Sequence, residues 1–306
     1  MTLPEPGNPA LFWRISDDRV LSLDEPRLIG VLNATPDSFS DGGMYPSIDA
    51  QMGAALRFVE EGAEIIDIGG ESTRPGAARV GEAEQIDRTI PVIEELRLCS
   101  DVLISIDTTR SVVARAALEA GANIINDQSA GLEDERMLPL AAARGCGLIL
   151  MHRLTPPPED SYSHEYEQEP EYGDVVATVR EFLLGRCIAA ETAGVPREAL
   201  VIDPGLGFGK SVEQNYRLIA RSAELLATGY PVLGAASRKS FIGAVSGVEL
   251  PRDRLIGSVA AGVVQYLAGV RLFRVHDVAA HRQALAVTSA VVRASKEMPT
   301  AKEPVG

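Results

Sequence analysis

Cysteine is scarce in this chain. Cys99, Cys146 and Cys187 are three in 306 residues, odd in number and without a Cys-x-x-Cys pair. That spacing excludes a disulfide framework and a structural zinc site and leaves reduced, buried thiols as the expectation. Positive charge is also in short supply, at a formal net charge of −14. A broad basic face for nucleic acid or an anionic membrane is therefore excluded, and any anionic ligand must be met by a local cationic pocket. Long apolar runs are missing as well. The most apolar later window, 256–270, is interrupted by Gln265 and Tyr266 and falls short of the roughly 18 residues that span a bilayer. It is expected to be a buried helix, or one that a partner subunit covers. The proline-rich start, 1–10, lacks the basic end and apolar centre of a secretory signal, so a cytoplasmic protein is expected.

What is present is a rhythm. Eight short apolar segments, 28–33, 65–71, 102–107, 123–127, 148–152, 200–203, 231–237 and 272–276, recur down the chain, and most end in polar residues. Continuous Ile, Val and Leu runs suit parallel strands covered on both faces, and the intervening stretches carry helical periodicity. Eight such units predict an α/β fold, a (β/α)8 TIM barrel, whose reactive groups gather at the carboxyl ends of its strands. With 45% hydrophobic and 24% charged residues, the chain reads as one soluble domain over 11–295, with flexible termini at 1–10 and 296–306. Alternation around Ser16-Asp17-Asp18 predicts an N-terminal β-hairpin that closes the bottom of the barrel. Helices are expected from Ser47 to Gly62, up to Gly121, from near Glu133, through Leu226, and over 278–294.

The loops after the first two strands, 34–46 and 72–81, are long for βα connections and so mark function. In the first, Asn33 closes a strand where its amide can ligate Mg2+ or a phosphate oxygen, and Asp41 offers a second hard oxygen. Thr35, Pro36 and Gly42 also suit ordinary turns. In the second, Arg74 lies in a glycine-flanked loop that favours an oxyanion. Asp107, Asn126 and Asp203 end three further strands and together suit the edge of a flat polar heterocycle, since carboxylates accept paired N–H groups and an amide both gives and accepts. Asp127 could instead cap a helix. Lys239, Arg274 and His276 concentrate positive and hydrogen-bonding groups after strands seven and eight, where barrels commonly hold phosphate. Gly205 to Lys210 is not a P-loop, because the required spacing falls one residue short. Phe208 reads as a pocket wall or as core. The segment 154–173, rich in proline, tyrosine and acid, reads as an irregular mobile excursion above the rim.

Five motifs in order, Leu32-Asn33-Ala34-Thr35-Pro36-Asp37-Ser38-Phe39-Ser40-Asp41-Gly42-Gly43, Asp67-Ile68-Gly69-Gly70-Glu71-Ser72-Thr73-Arg74-Pro75-Gly76, Asp203-Pro204-Gly205, Ser237-Arg238-Lys239-Ser240 and Arg274-Val275-His276-Asp277, make the chain resemble the dihydropteroate synthases over about 11–295. The resemblance implies a Mg2+-assisted transferase of folate biosynthesis, commonly a dimer. Such enzymes condense 6-hydroxymethyl-7,8-dihydropterin diphosphate with 4-aminobenzoate to 7,8-dihydropteroate and diphosphate. It implies pterin contacts from Asp107, Asn126, Met151, Asp203 and Lys239, and diphosphate contacts from Asn33, Arg74, Arg274 and His276, with Asn33 and Asp41 at the metal. For 4-aminobenzoate it implies Phe39, Thr73, Pro75, Phe208 and Ser240. The chain departs from the family after Met151, where Met151-His152-Arg153-Leu154 enters the proline- and acid-rich excursion. A corrinoid-dependent pterin methyltransferase would share the acids but has no use for the first loop or for Lys239 and Arg274. A non-catalytic pterin binder would not need the full set of polar strand ends.

Overall fold

The computed structural model describes residues 12–34 and 47–296. Barrel strands β3 (Arg27–Asn33), β4 (Ile65–Gly69), β5 (Leu103–Asp107), β6 (Ile124–Asp127), β7 (Gly147–Met151), β8 (Leu200–Asp203), β9 (Leu233–Gly234) and β10 (Leu272–Val275) form one parallel eight-stranded sheet, with β10 joining β9 to β3. A parallel bridge between Ile202 and Val232 brings β8 and the start of the β9 segment together and closes the barrel. The seventh strand is much shorter than 231–237 predicts. The chain turns away at Arg238, which adopts a positive φ of 60°, and Ser258 Oγ and Arg254 Nη1 hold that turn through its N–H and carbonyl.

Period-two alternation sorts every strand into an inner and an outer row. Ile29, Ile65, Leu103, Ile124, Ile149, Val201, Leu233 and Leu272, one from each barrel strand, form a single buried apolar layer. Beneath it lies the hairpin of β1 (Phe12–Arg14) and β2 (Val20–Ser22), whose Trp13 is fully buried and donates Nε1–H to the Ala199 carbonyl at 2.8 Å. The hairpin thus closes the barrel floor, as its alternation predicts. Gly147 leaves the room: a Cβ there would stand 3.1 Å from the Trp13 ring. The outer row, including Leu32, Ile66, Ile68, Ile104, Ile106, Leu148 and Leu150, packs into a second core under the helices.

Those helices are α1 (Ile48–Glu61), α2 (Glu82–Cys99), α3 (Ser111–Ala120), α4 (Met137–Arg144), α5 (Val175–Thr192), α6 (Val212–Ala220), α7 (Ser222–Leu226), α8 (Ser240–Ser246), α9 (Leu255–Leu267) and α10 (Val278–Lys296). Local chemistry explains many of their ends. Ser47 Oγ accepts the Ala50 N–H, Gly62 and Gly121 close their helices in the left-handed region, and Ser211 with Gln214 forms a capping box. None among the described residues is long and apolar enough to cross a membrane.

Other expectations change. The fourth helix starts at Met137, not near Glu133, because its approach is committed elsewhere: Asp127 Oδ1 and Oδ2 accept the Ser129 and Gly131 N–H groups, and Glu133 pairs with Arg79 and Arg153. Asp127 therefore shapes a turn instead of capping a helix. The stretch through Leu226 breaks at Arg221 into α6 and α7. Cys146 and Cys187 are buried, but Cys99 is exposed at the end of α2. Residues 154–173 are bound to the rim: Asp160 and Ser163 are buried, and Asp160 accepts the Gly209 N–H at 3.0 Å. The final helix reaches Lys296; the rest of the expected flexible termini lies outside the described residues.

Candidate active site

Two residues beyond the apolar layer, the inner row becomes Val31, Asp67, Ser105, Asn126, Met151, Asp203, Ala235 and Arg274, so the same alternation that fills the floor turns polar toward the carboxyl rim. Arg274 reaches across this level. Its Nε donates to Asp67 Oδ2 at 2.7 Å and its Nη2 to Asp107 Oδ2 at 2.9 Å. Asn126 Nδ2 donates to the same Asp67 oxygen at 3.1 Å, and Gln128 Nε2 to Asp107 Oδ1 at 2.6 Å. Burial, then the adjacent Asp67 carboxylate, push Asp107 above the usual carboxylate range against the pull of Arg274.

The network leaves acceptors open. Asp67 Oδ1, Asn126 Oδ1 and Ser105 Oγ are buried with no partner among the described residues. Buried polar groups without partners are rare and call for a ligand or water. Asp203 uses Oδ1 to take the Gly205 N–H at 2.7 Å, so Oδ2 remains for another donor, and burial raises its carboxyl too. Only glycine fits at 205: with φ of 65°, a Cβ would lie 1.8 Å from the His152 carbonyl oxygen.

Above this floor is a cavity of about 240 Å3 lined by Asn33, Thr73, Arg74, Pro75, Lys239, Ser240, Arg274 and His276, among others. Lys239 Nζ sits 3.9 Å from the centroid of the Phe208 ring. Desolvation, then Arg274, lower its ammonium to about 8, with Asp203 opposing. His276 Nδ1 lies 3.1 Å from Ser237 Oγ, which also accepts the His276 backbone N–H at 3.2 Å. With one lone pair so used, Ser237 keeps its proton and a second lone pair for Nδ1, and this contact fixes the orientation of the imidazole. Burial and the neighbours Arg238, Arg274, Lys239 and Arg74 depress the His276 pKa far below its usual value, so the imidazole is neutral. Arg238 is paired with Asp277, at 2.9 Å from Nε.

The structure thus gathers eight expected residues on one cavity and sets Asp107, Asn126, Met151 and Asp203 in the buried level below. Phe208 does not line the cavity but backs Lys239. Phe39 and Asp41 lie outside the described residues. Arg274, expected beside diphosphate, lines the cavity and is at the same time held by the acids, because it stands in the inner row of β10. Asp67 and Gln128 were missed. Asp67 had a signal, a carboxylate in the middle of an isoleucine strand at inner parity, whereas Gln128 had none. Lys210 is fully buried and staples the Gly205–Gly209 loop, giving hydrogen bonds to the Gly205 and Phe208 carbonyls at 3.0 and 2.8 Å, with Nζ 3.0 Å from His152 Nδ1. That position confirms it is not a phosphate-loop lysine.

Residues 29–276 match the family model described as pterin binding enzyme. Dihydropteroate synthase of Mycobacterium leprae is 44% identical over 283 residues, 91% of this chain and 98% of its own length. That of Escherichia coli is 41% identical over 276 residues, covering 90% and 95%. The solved dihydropteroate synthase of Xanthomonas albilineans with 4-aminobenzoic acid superposes with a TM-score of 0.84 at 44% identity, covering 94% of this chain and 100% of that one. The same enzyme with 7,8-dihydropteroate gives 0.80 at 42% identity, with 94% and 100% coverage. Matched in sequence and in fold over nearly its full length, the chain belongs to the dihydropteroate synthase family of pterin-binding enzymes.

Proposed function

We propose that the buried acids hold the pterin and the cavity above them holds the diphosphate and the aromatic amine. As a dihydropteroate synthase, the protein condenses 6-hydroxymethyl-7,8-dihydropterin diphosphate with 4-aminobenzoate, giving 7,8-dihydropteroate and diphosphate. The observation that carries the residue roles is the set of open buried acceptors, Asp67 Oδ1 and Asn126 Oδ1, beside Asp203. They suit the amino and ring N–H groups of a pterin edge. Cleavage of the C–O bond leaves positive charge on the pterin methylene and negative charge on diphosphate. Acids below the ring and Lys239, Arg74, Arg274 and His276 above it stabilise those separating charges in place. The aniline nitrogen is uncharged near neutrality and attacks directly, so positioning and water exclusion matter more than a general base. Thr73, Pro75 and Ser240 frame the amine's end of the cavity, with Phe208 behind Lys239. The family resemblance assigns Phe39 the same role.

Among the described residues, no cluster of three acidic, histidine or cysteine side chains is placed to hold a metal. Asn33 on the cavity offers one amide oxygen. This donor set fits Mg2+ that keeps its waters and arrives with the substrate's phosphates, not an ion caged by protein. Asn33 and Asp41 would hold it, and when bound it would neutralise charge on the diphosphate. A homodimer is supported by apolar Ile256, Val264 and Leu267 exposed on α9 and Val287 and Val291 on α10. The net charge of −14 supports small-molecule partners over nucleic acid or membrane, and the free thiols of Cys99, Cys146 and Cys187 support the reducing cytoplasm.

Purified protein with Mg2+ is expected to release diphosphate only when both substrates are present; release without 4-aminobenzoate, or none at all, refutes the assignment. The pH profile is a second expectation. Lys239 carries its charge below about 8 and loses it above, so kcat/KM for the pterin diphosphate should fall about tenfold per unit at higher pH. The acid limb belongs to Asp107, which burial and Asp67 raise and which must be ionised to grip the ring and Arg274. His276→Gln should lower the height of the bell and keep both limbs, because the imidazole is already neutral. Loss of either limb in that variant would return titration to His276.

A further inference from the structure

The excursion after β7 reaches over the cavity at a chosen place. It is tied to the loop after β4 by the Gly76 N–H to the Pro157 carbonyl at 2.8 Å, and to the loop after β8 by the Gly209 N–H to Asp160 Oδ2 and by the Tyr172 hydroxyl to the Gly209 carbonyl at 2.7 Å. A third tie runs to the start of α8, where the Ser163 N–H donates to Ser240 Oγ at 3.2 Å while Asn215 Nδ2 donates to Ser163 Oγ at 3.1 Å. Asp160 and Ser163 are both buried. Between these two anchors lies Tyr162, half-buried, whose side chain lines the cavity with Thr73, Pro75, Lys239, Ser240 and Arg254. With the backbone held on both sides, the segment that carries the ring is placed before binding, and a wall so placed adds affinity at a reduced ordering cost.

Ser240 Oγ is oriented by the same segment. A hydroxyl that accepts an N–H keeps its own proton for a different acceptor. The Ser163 N–H therefore presets Ser240 as a donor, the role a carboxylate needs.

We propose that Tyr162 is a specificity-determining residue for the aromatic amine: its ring closes the outer side of the cavity over 4-aminobenzoate, while Ser163 presets Ser240 for the substrate carboxylate. This rests on the reading that the outer half of the cavity takes 4-aminobenzoate and adds a wall supplied by the fifth-strand loop of this chain. Steady-state rates of diphosphate release are measured for the wild-type protein, Tyr162→Ala and Tyr162→Phe, varying each substrate with the other saturating. Tyr162→Ala should raise KM for 4-aminobenzoate about tenfold, the worth of an aromatic contact, and leave KM for the pterin diphosphate and kcat within about twofold. Tyr162→Phe should stay near wild type, because the ring and not the hydroxyl forms the wall. An active wild type with an unchanged 4-aminobenzoate KM in Tyr162→Ala overturns the proposal alone, as does an equal rise for both substrates. A wild type that releases no diphosphate overturns both this proposal and the reading beneath it. Thermal melts of the two variants separate a lost wall from a lost fold, and a Tyr162→Ala protein that melts well below wild type would make Tyr162 structural and also refute the proposal.

Discussion

Arg274→Met is expected to reduce kcat/KM by about 10³ or more and to lower stability by about 3–5 kcal/mol, the cost of removing one partner from a buried ion pair. The guanidinium is the cation that both Asp67 and Asp107 contact, at 2.7 and 2.9 Å. Without it two buried carboxylates face each other, and one must bind a proton or draw in water. Either outcome spoils the acid level that grips the ring, so loss of turnover and loss of stability arise from the same contact. A double-mutant cycle separates them. Asp67→Asn in the Arg274→Met background should recover much of the stability, because the repulsion is gone, and recover little of the activity. Thermal unfolding and initial rates on the four proteins measure this, and coupling near zero between positions 67 and 274 would mean that the ion pair is not what holds the level together.

Asp203→Asn is expected to weaken pterin binding about a hundredfold while leaving the melting temperature unchanged or higher. One carboxylate oxygen is held by the Gly205 N–H. An asparagine can keep that bond through its carbonyl, which turns its NH2 toward the ligand and sets donor against donor. Losing a charge-assisted bond and gaining an unpaired buried donor together amount to about 3 kcal/mol. The fold itself loses nothing comparable, since burial already disfavours the charged Asp203 side chain. Calorimetric titration with the pterin diphosphate, without 4-aminobenzoate, reads the affinity. An unchanged value would remove Asp203 from the pterin site.

Much of the site was legible because strand chemistry is local. A polar residue ending an apolar run must find a polar partner, and that marked Asn33, Asp107, Asn126, Asp203 and His276, while the glycine-flanked second loop marked Arg74. Less was legible wherever the partner lies far along the chain. The pairing of Arg274 with Asp67 spans 207 residues, and nothing near either residue announces it. The late start of α4 arose similarly, from Glu133 being drawn to Arg79 and Arg153 on other loops. The segment 154–173 looked too polar to pack because its partners, the Gly209 N–H, Ser240 and Asn215, belong to the next two units.

By itself the chain's order of residues determined the eight strands, the faces they turn inward and the family to which the motifs point, because strand period, capping and turn chemistry act over a few residues. Only the closed barrel decided which polar ends meet. Closure brings β10 beside β3 and sets Arg274 over the acids of β4 and β5, and it brings the loop after β7 down onto α8. These contacts are set by the curvature of the whole sheet, and no stretch of sequence contains that.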